Sequence, residues 1–320
     1  MLLGGRLWVS TTRGDVWAID EDSGKAQGWQ FEAPATAMTR TRDGRLLVVT
    51  SAPEARRGSL WEFRGRGWSR LRSWLREDGS RPMALTEEEG QLVIVENRRV
   101  RLIAPDGHAR EVALGEPLRG GHHVSAALAG GQVYVGLDQG EFGGGLWRID
   151  LATGERRELH GDGLPSAEAQ KDPRLSGGGS PVTAVVAERD RPGCVLASVG
   201  MSHMGLSHGG LFRACGDAIE RVWSAPLSHC DASDPFALCE QSEAAVWDVI
   251  ALPGGFWAST SNGIVRRDQG QPDRWWTSVE SERRGGVLQS SSVPGLRLIW
   301  SDAHAAVSVG VYGALLVPTE

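Results

Sequence analysis

The sequence predicts an all-β chain folded as a seven-bladed β-propeller with four-stranded antiparallel blades. Three observations carry this. A turn signal leading into a short β-rich run recurs seven times, as "GGRLWVST", "DGRLLVVT", "EGQLVIVE", "GGQVYVGL", "PGCVLASV", "GGFWAST" and "PGLRLIW". The turn glycines near positions 5, 44, 90, 131, 193, 255 and 295 act as a ruler along the chain. No stretch shows the 3.6-residue apolar period of an amphipathic helix. Radial repetition of four-stranded sheets is one way a β-rich chain limits its exposed strand edges.

Each recurring run reads as the second strand of its unit. A third follows it: "GDVWAID", "GSLWEF", "RVRLIA", "GLWRID", "GLFRAC", "GIVRRD" and, in the last unit, "VGVYGAL". Weaker fourth runs come next, such as "RGWSRL", "HAREVAL" and "AIERVW". Inner runs such as "ATAMTRT", "RPMALTE" and "PVTAVVAE" then lead into the following turn. The first unit has no evident inner strand, and the tail "ALLVPTE" is the candidate to supply it. Residues 1–320 read as one propeller domain. Trp8, Trp17, Trp61, Trp147 and Trp257 fall at equivalent strand positions and are expected to pack between neighbouring sheets.

Spacings between the ruler glycines are 39, 46, 41, 62, 62 and 40 residues, so two units are longer than the rest. The excess falls in 161–180, 200–210 and 226–243, after a second or a fourth strand. In an up-and-down blade those connections share one face, here called the top. Insertions gathered on one face of a repeat array mark a binding face. The stretch "VGMSHMGLSHGG", residues 199–210, reads as a long loop carrying two histidines, two methionines and four glycines.

Composition narrows the partners. A formal net charge of −6 over 320 residues, with no basic tract evident, argues against a nucleic-acid or anionic-membrane partner. No apolar run has the length of a membrane-spanning helix. Lys25 and Lys171 are the only lysines, so 32 of the 34 basic residues are arginine. Cys194 and Cys215 stand at mirror positions of one hairpin, and Cys230 and Cys239 bracket "CDASDPFALC". Two disulfides fit that arrangement and imply an extracytoplasmic compartment, periplasmic or secreted; four reduced, buried thiols are the alternative.

Two of the units resemble the repeats of two-component-regulator propellers, which pair a G-x-L-W-V-x-T strand with a following G-(L/I)-x-x-x-D. Gly5-Arg6-Leu7-Trp8-Val9-Ser10-Thr11 precedes Gly14-Asp15-Val16-Trp17-Ala18-Ile19-Asp20, and Phe256-Trp257-Ala258-Ser259-Thr260 precedes Gly263-Ile264-Val265-Arg266-Arg267-Asp268. The resemblance implies a propeller fold and extracytoplasmic sensor-like relatives, and it assigns no activity.

Seven of the eight histidines map to the predicted top face; His108 alone maps to the bottom. Neutral imidazoles gathered from remote parts of a chain suit a divalent transition metal such as Zn, Cu or Fe. The expected ligands are His122, His123, His203, His208 and His304, with Glu141 as ligand or base and His229 at the rim. Calcium fits less well, because Asn97 and Asn262 are the only asparagines. Metal-free acid–base chemistry by a histidine beside Glu141 is a second option. Gly205-Leu206-Ser207-His208-Gly209 matches G-x-S-x-G but lies between strands, whereas a nucleophile elbow needs a strand-to-helix turn. Two functions follow: a metal-dependent enzyme acting on a small molecule or peptide, or a recognition propeller that binds a ligand or protein; either is expected to be a monomer with no nucleic-acid partner and no membrane segment in this chain.

Overall fold

A computed structural model describes residues 2–11, 13–20, 22–52, 56–76, 79–118, 123–140, 143–161, 164, 179–203, 206–227, 243–276, 297–301, 305–310 and 313–318. The named elements among these residues are all strands. The first sheet holds β1 (Leu2–Leu3), β2 (Arg6–Ser10), β3 (Val16–Asp20) and β4 (Ala26–Trp29). The second holds β5 (Ala35–Arg40), β6 (Leu46–Ser51), β7 (Arg57–Arg64) and β8 (Gly67–Leu75). The third holds β9 (Pro82–Glu88), β10 (Gln91–Glu96), β11 (Arg99–Ile103) and β12 (Ala109–Ala113). The fourth holds β13 (His123–Ala129), β14 (Gln132–Asp138), β15 (Gly144–Asp150) and β16 (Arg156–Leu159). The fifth holds β17 (Val182–Ala187), β18 (Cys194–His203), β19 (Leu206–Cys215) and β20 (Ala218–Trp223). The sixth holds β21 (Val246–Leu252), β22 (Gly255–Thr260), β23 (Gly263–Asp268) and β24 (Arg274–Trp276). A last sheet has three strands, β25 (Arg297–Ser301), β26 (Ala305–Gly310) and β27 (Gly313–Pro318).

The fold is an all-β propeller of four-stranded antiparallel blades. Six blades have four strands, not the seven expected, because the last unit forms its sheet from three described strands. The tail does not complete the first sheet. Residues 313–318 pair with β26 in the last sheet, and the first sheet takes its initial strand from Leu2 and Leu3. A two-residue strand gives no periodicity to read, which is why the sequence left it unassigned.

The chain divides into two compact units, one of residues 1–120 and 149–156 and the other of 121–148 and 157–320. In the first unit β6 is buried along its whole length. Its alternation serves two neighbours. Leu46 and Val48 pack with Trp8, Val16 and Ala18 of the first sheet, while Leu47 and Val49 pack with Leu85, Leu92 and Ile94 of the third. A strand covered on both faces must be apolar at every position, so it reads as a continuous run. In the second unit β18 repeats the device. Val195, Ala197 and Val199 join Tyr134, Leu146 and Phe212, and Leu196 joins Val246, Val249 and Phe256. Full burial of each Val, Leu, Ile or Phe side chain among these contributes roughly 1.5–3 kcal/mol. Trp8 and Trp257 are buried between sheets as expected, but Trp17 is 40% exposed and lies across Gly28.

Candidate functional site

The second unit places the site. Because β17–β20 are antiparallel, the start of β17, the hairpin between β18 and β19, and the end of β20 meet at one end of the fifth sheet. The described ends of the excess segments, Ser180 before β17, the β18–β19 hairpin, and Pro226 with Glu243 after β20, lie at that end.

The long loop expected at 199–210 is instead a hairpin. β18 and β19 run ten residues each, against five to eight for the matching strands of the other four-stranded sheets. Their pairing continues through Gly200↔Gly209, Met201↔His208 and Ser202↔Ser207 to His203↔Leu206. β17 stops pairing at Val199 and β20 at Leu211, so these last pairs project past both flanking strands.

Glycine here serves close approach, not loop freedom. A Cβ on Gly200 would lie 2.4 Å from the Val246 carbonyl oxygen, and one on Gly209 would lie 2.4 Å from that of Ala244. The cross-strand glycine pair therefore lets the ribbon rest on the backbone entering β21. Thr183 Oγ1 donates to the same Val246 carbonyl at 2.7 Å.

Three charged or titratable groups gather on this ribbon. The Glu243 amide donates to the Ser207 carbonyl at 3.0 Å, which brings residue 243 against the hairpin. Arg221, on β20, forms an ion pair with the Glu243 carboxylate and donates to the Gly209 carbonyl at 2.8 Å. Its guanidinium also lies over the Phe212 ring at 5.9 Å. His208 is half-buried beside them. Burial pushes its imidazole below the ordinary value of 6.5 and Arg221 acts in the same direction, while Glu243 opposes them. The imidazole is accordingly neutral at pH 7. Ser207 is 6% exposed, and its hydroxyl has no hydrogen-bond partner among the described residues.

The residues expected at the site distribute as follows. His122, Glu141, His229 and His304 lie outside the described residues, as do Cys230 and Cys239. His203 and His208 sit in one hairpin, where the register makes positions 203 and 208 a diagonal pair. His123 opens β13 opposite Asp138, in a different sheet. Among the described residues no three His, Cys, Asp or Glu side chains gather as a metal-binding group. Among the described residues, the carboxylate beside His208 is that of Glu243. Arg221 and Glu243 were missed because "AIERVW" and "SEAAV" look like ordinary strand and strand-entry sequence. The one available signal was that Glu243 closes a long connection.

The opposite end of the same sheet is built differently. Cys194 and Cys215 form the expected disulfide. Both main-chain groups of Cys194 are engaged with residues 188 and 191, away from β19. Cys194 and Cys215 thus form a non-hydrogen-bonded cross-strand pair, and their Cα atoms stand 4.3 Å apart. A cavity of about 240 Å³ opens there between the fifth and sixth sheets. Arg213, in its lining, is already bound to both Glu188 oxygens at 2.7 and 2.8 Å and to Glu220 at 2.6 Å. Those carboxylates hold Arg213 firmly protonated and leave it little capacity for a ligand.

No protein-family model matches the chain, and no curated protein matches its sequence. Solved structures share its fold. The protein is similar to YCF48 bound to D1 peptide, at 10% identity and a TM-score of 0.58 over 99% of this chain and 89% of that one. It is similar to Kuenenia stuttgartiensis hydrazine synthase, at 13% identity and a TM-score of 0.56 over 99% and 93%. It is also similar to the extracellular domain of the one component system BT4673 from B. thetaiotaomicron, at 12% identity and a TM-score of 0.52 over 98% of this chain but 40% of that one. At these identities the likeness is one of fold. At that level the resemblance to regulator-type propellers holds, and the three neighbours differ too much in function to assign one.

Proposed function

We propose that this protein is a recognition propeller that binds a peptide or small molecule at the end of the fifth sheet, where the β18–β19 ribbon projects. The observation that carries this reading is the ribbon itself: four residue pairs beyond its flanking strands, fixed on the β21 backbone and flanked by Arg221, Glu243 and His208. An ordered, projecting element with a partly buried charged pair is a preorganised contact surface. A peptide-bound neighbour of the same fold is in keeping with this reading. The Cys194–Cys215 disulfide supports an extracytoplasmic location. We read residues 1–320 as one propeller.

The test is selection of a displayed random-peptide library on the purified protein. Enriched peptides are expected to bind the wild type and to lose about tenfold in affinity, or roughly 1.4 kcal/mol, against Arg221→Ala or His208→Ala. Equal binding to both variants overturns the reading.

A transition-metal centre of Zn, Cu or Fe is the second reading, favoured by the diagonal register of His203 and His208. Its ligands would come from His122, His123, His203, His208 and His304, with Glu141 and His229 in attendance. Arg221 weighs against it, because a guanidinium beside His208 repels a cation and already occupies the Glu243 carboxylate. Calorimetric titration with ZnCl2 decides it: stoichiometric binding abolished by His208→Ala supports a metal site, and no binding by the wild type removes it.

A further inference from the structure

We propose that the outer edge of β8, in the first unit, docks an acidic extended peptide, which adds to the second sheet as a fifth strand. This goes beyond the reading above, in different residues and with a different partner chemistry.

Three observations converge on this edge. The first is its length. β8 has nine residues, whereas the outer strands β4, β12, β16, β20 and β24 have three to six. As the last strand of its sheet it presents main-chain groups that no strand pairs among the described residues. The Arg76 amide donates to the Arg56 carbonyl, so from Arg72 to Arg76, on the far side of the register shift at Leu71, the even positions face β7 and the amides of Ser73 and Leu75 face outward. Leu71 and Leu75 are 40% and 60% exposed on this strand.

The second is charge. Residues 56–76 hold seven arginines and one acid, Glu62, a local formal charge of +6 in a chain of −6. A whole-chain average hid this basic hairpin, so the expectation of no basic tract is corrected here. Arg56, Arg57 and Arg66 are exposed and have no carboxylate partner among the described residues. Arg70 meets only the exposed Glu32, at 3.4 Å, and Arg72 donates to the Gly107 carbonyl at 2.9 Å.

The third is a cavity. A space of about 310 Å³ opens beside the strand, lined by Leu60, Leu71, Leu92, Ile103 and Pro105, with Arg72 at its side. An added strand supplies main-chain bonds along the edge, and a side-chain pocket supplies selectivity. The edge is rigid before anything binds. Ser59 and Ser73 share a hydroxyl hydrogen bond at 2.9 Å, Trp74 donates to the buried Glu96 at 2.8 Å, and Arg76 holds the carbonyls of Ser80 and Ala52. A phosphate backbone or a lipid headgroup would use the arginines but neither the edge nor the pocket. An acidic strand with an apolar side chain uses all three. A second copy of β8 would bring arginine against arginine.

The test uses the full chain and a labelled peptide, acetyl-Glu-Val-Asp-Leu-Glu-Val-Asp, followed by fluorescence anisotropy. Saturable binding is expected, weakened by added salt and absent for the counterpart with lysine at every acidic position. Ser73→Pro removes an outward amide and should weaken binding about tenfold, in line with the loss of one or two main-chain bonds. Arg70→Glu with Arg72→Glu should weaken it at least as much. Circular dichroism checks that each variant folds; if Ser73→Pro does not, the arginine pair decides. The proposal is overturned if the wild type ignores the acidic peptide, if both variants bind it as the wild type does, or if only an oligonucleotide or phosphatidylserine vesicles bind. Arg221→Ala leaves this binding unchanged, which keeps its outcome separate from that of the fifth-sheet site.

Discussion

The hairpins β7–β8 and β18–β19 are both longer than their counterparts, yet they are held in opposite ways. β18–β19 lies inside its sheet. Glycine lets it touch the next backbone, a disulfide closes its far end, and its charges are paired across the ribbon. β7–β8 forms the edge of its sheet. It is anchored along one side through Trp74 and Arg76, and it leaves the other side and most of its arginines to solvent. Extra length in a repeat therefore has two meanings: an interior hairpin projects from the sheet end, and an outer one widens the sheet edge.

The largest expected effect separates the two at their glycines. Gly209→Val sets a side chain against main-chain atoms of Ala244 and Ala245, and should destabilise by about 3 kcal/mol in chemical denaturation. Gly67→Ala, at the start of β8, meets nothing within 4 Å and should stay within about 0.5 kcal/mol of wild type. Equal effects would erase the contrast.

Cys194→Ser with Cys215→Ser comes next. Opening a cross-link of sequence separation 21 should cost roughly 3 kcal/mol or somewhat less, since the hairpin ladder remains. Hydrogen exchange after reduction should quicken in β18–β19 and stay unchanged in β7–β8.

Trp74→Phe tests the anchored side of the outer hairpin. It leaves the buried Glu96 carboxylate short of a donor and should destabilise by about 2 kcal/mol, measured by urea unfolding.

The smallest effect is a pH dependence. The folded state holds the His208 imidazole below 6.5, so the unfolded chain binds the proton first as pH falls. This contribution to stability is present above pH 6.5 and is lost as pH falls from there through the folded value. His208→Asn should flatten that part of the stability–pH curve, and an unchanged slope would assign it to other groups.

Much of the fold was legible because it rests on local chemistry. In each of the six four-stranded sheets the turn glycine of the repeat leads into the second strand, from β2 to β22, and the mirror positions of Cys194 and Cys215 gave their pairing. What misled was glycine counted only as a loop former. Gly200 and Gly209 answer to the Val246 and Ala244 backbones, which are distant in sequence. The Arg221–Glu243 pair spans 22 residues and has no periodicity, so only coordinates could join it to His208. The basic hairpin was visible residue by residue but vanished in the net charge.

The most direct measurement removes Met201, Ser202, Ser207 and His208 together. That deletion shortens the ribbon by two pairs, keeps the side-chain alternation, and gives up the Glu243–Ser207 contact, worth about 1 kcal/mol. The expected result is a cooperative melt within a few degrees of wild type and no binding of the library-selected peptides. A chain that fails to fold, or one that still binds them, would show that the projecting pairs serve stability or nothing, and not recognition.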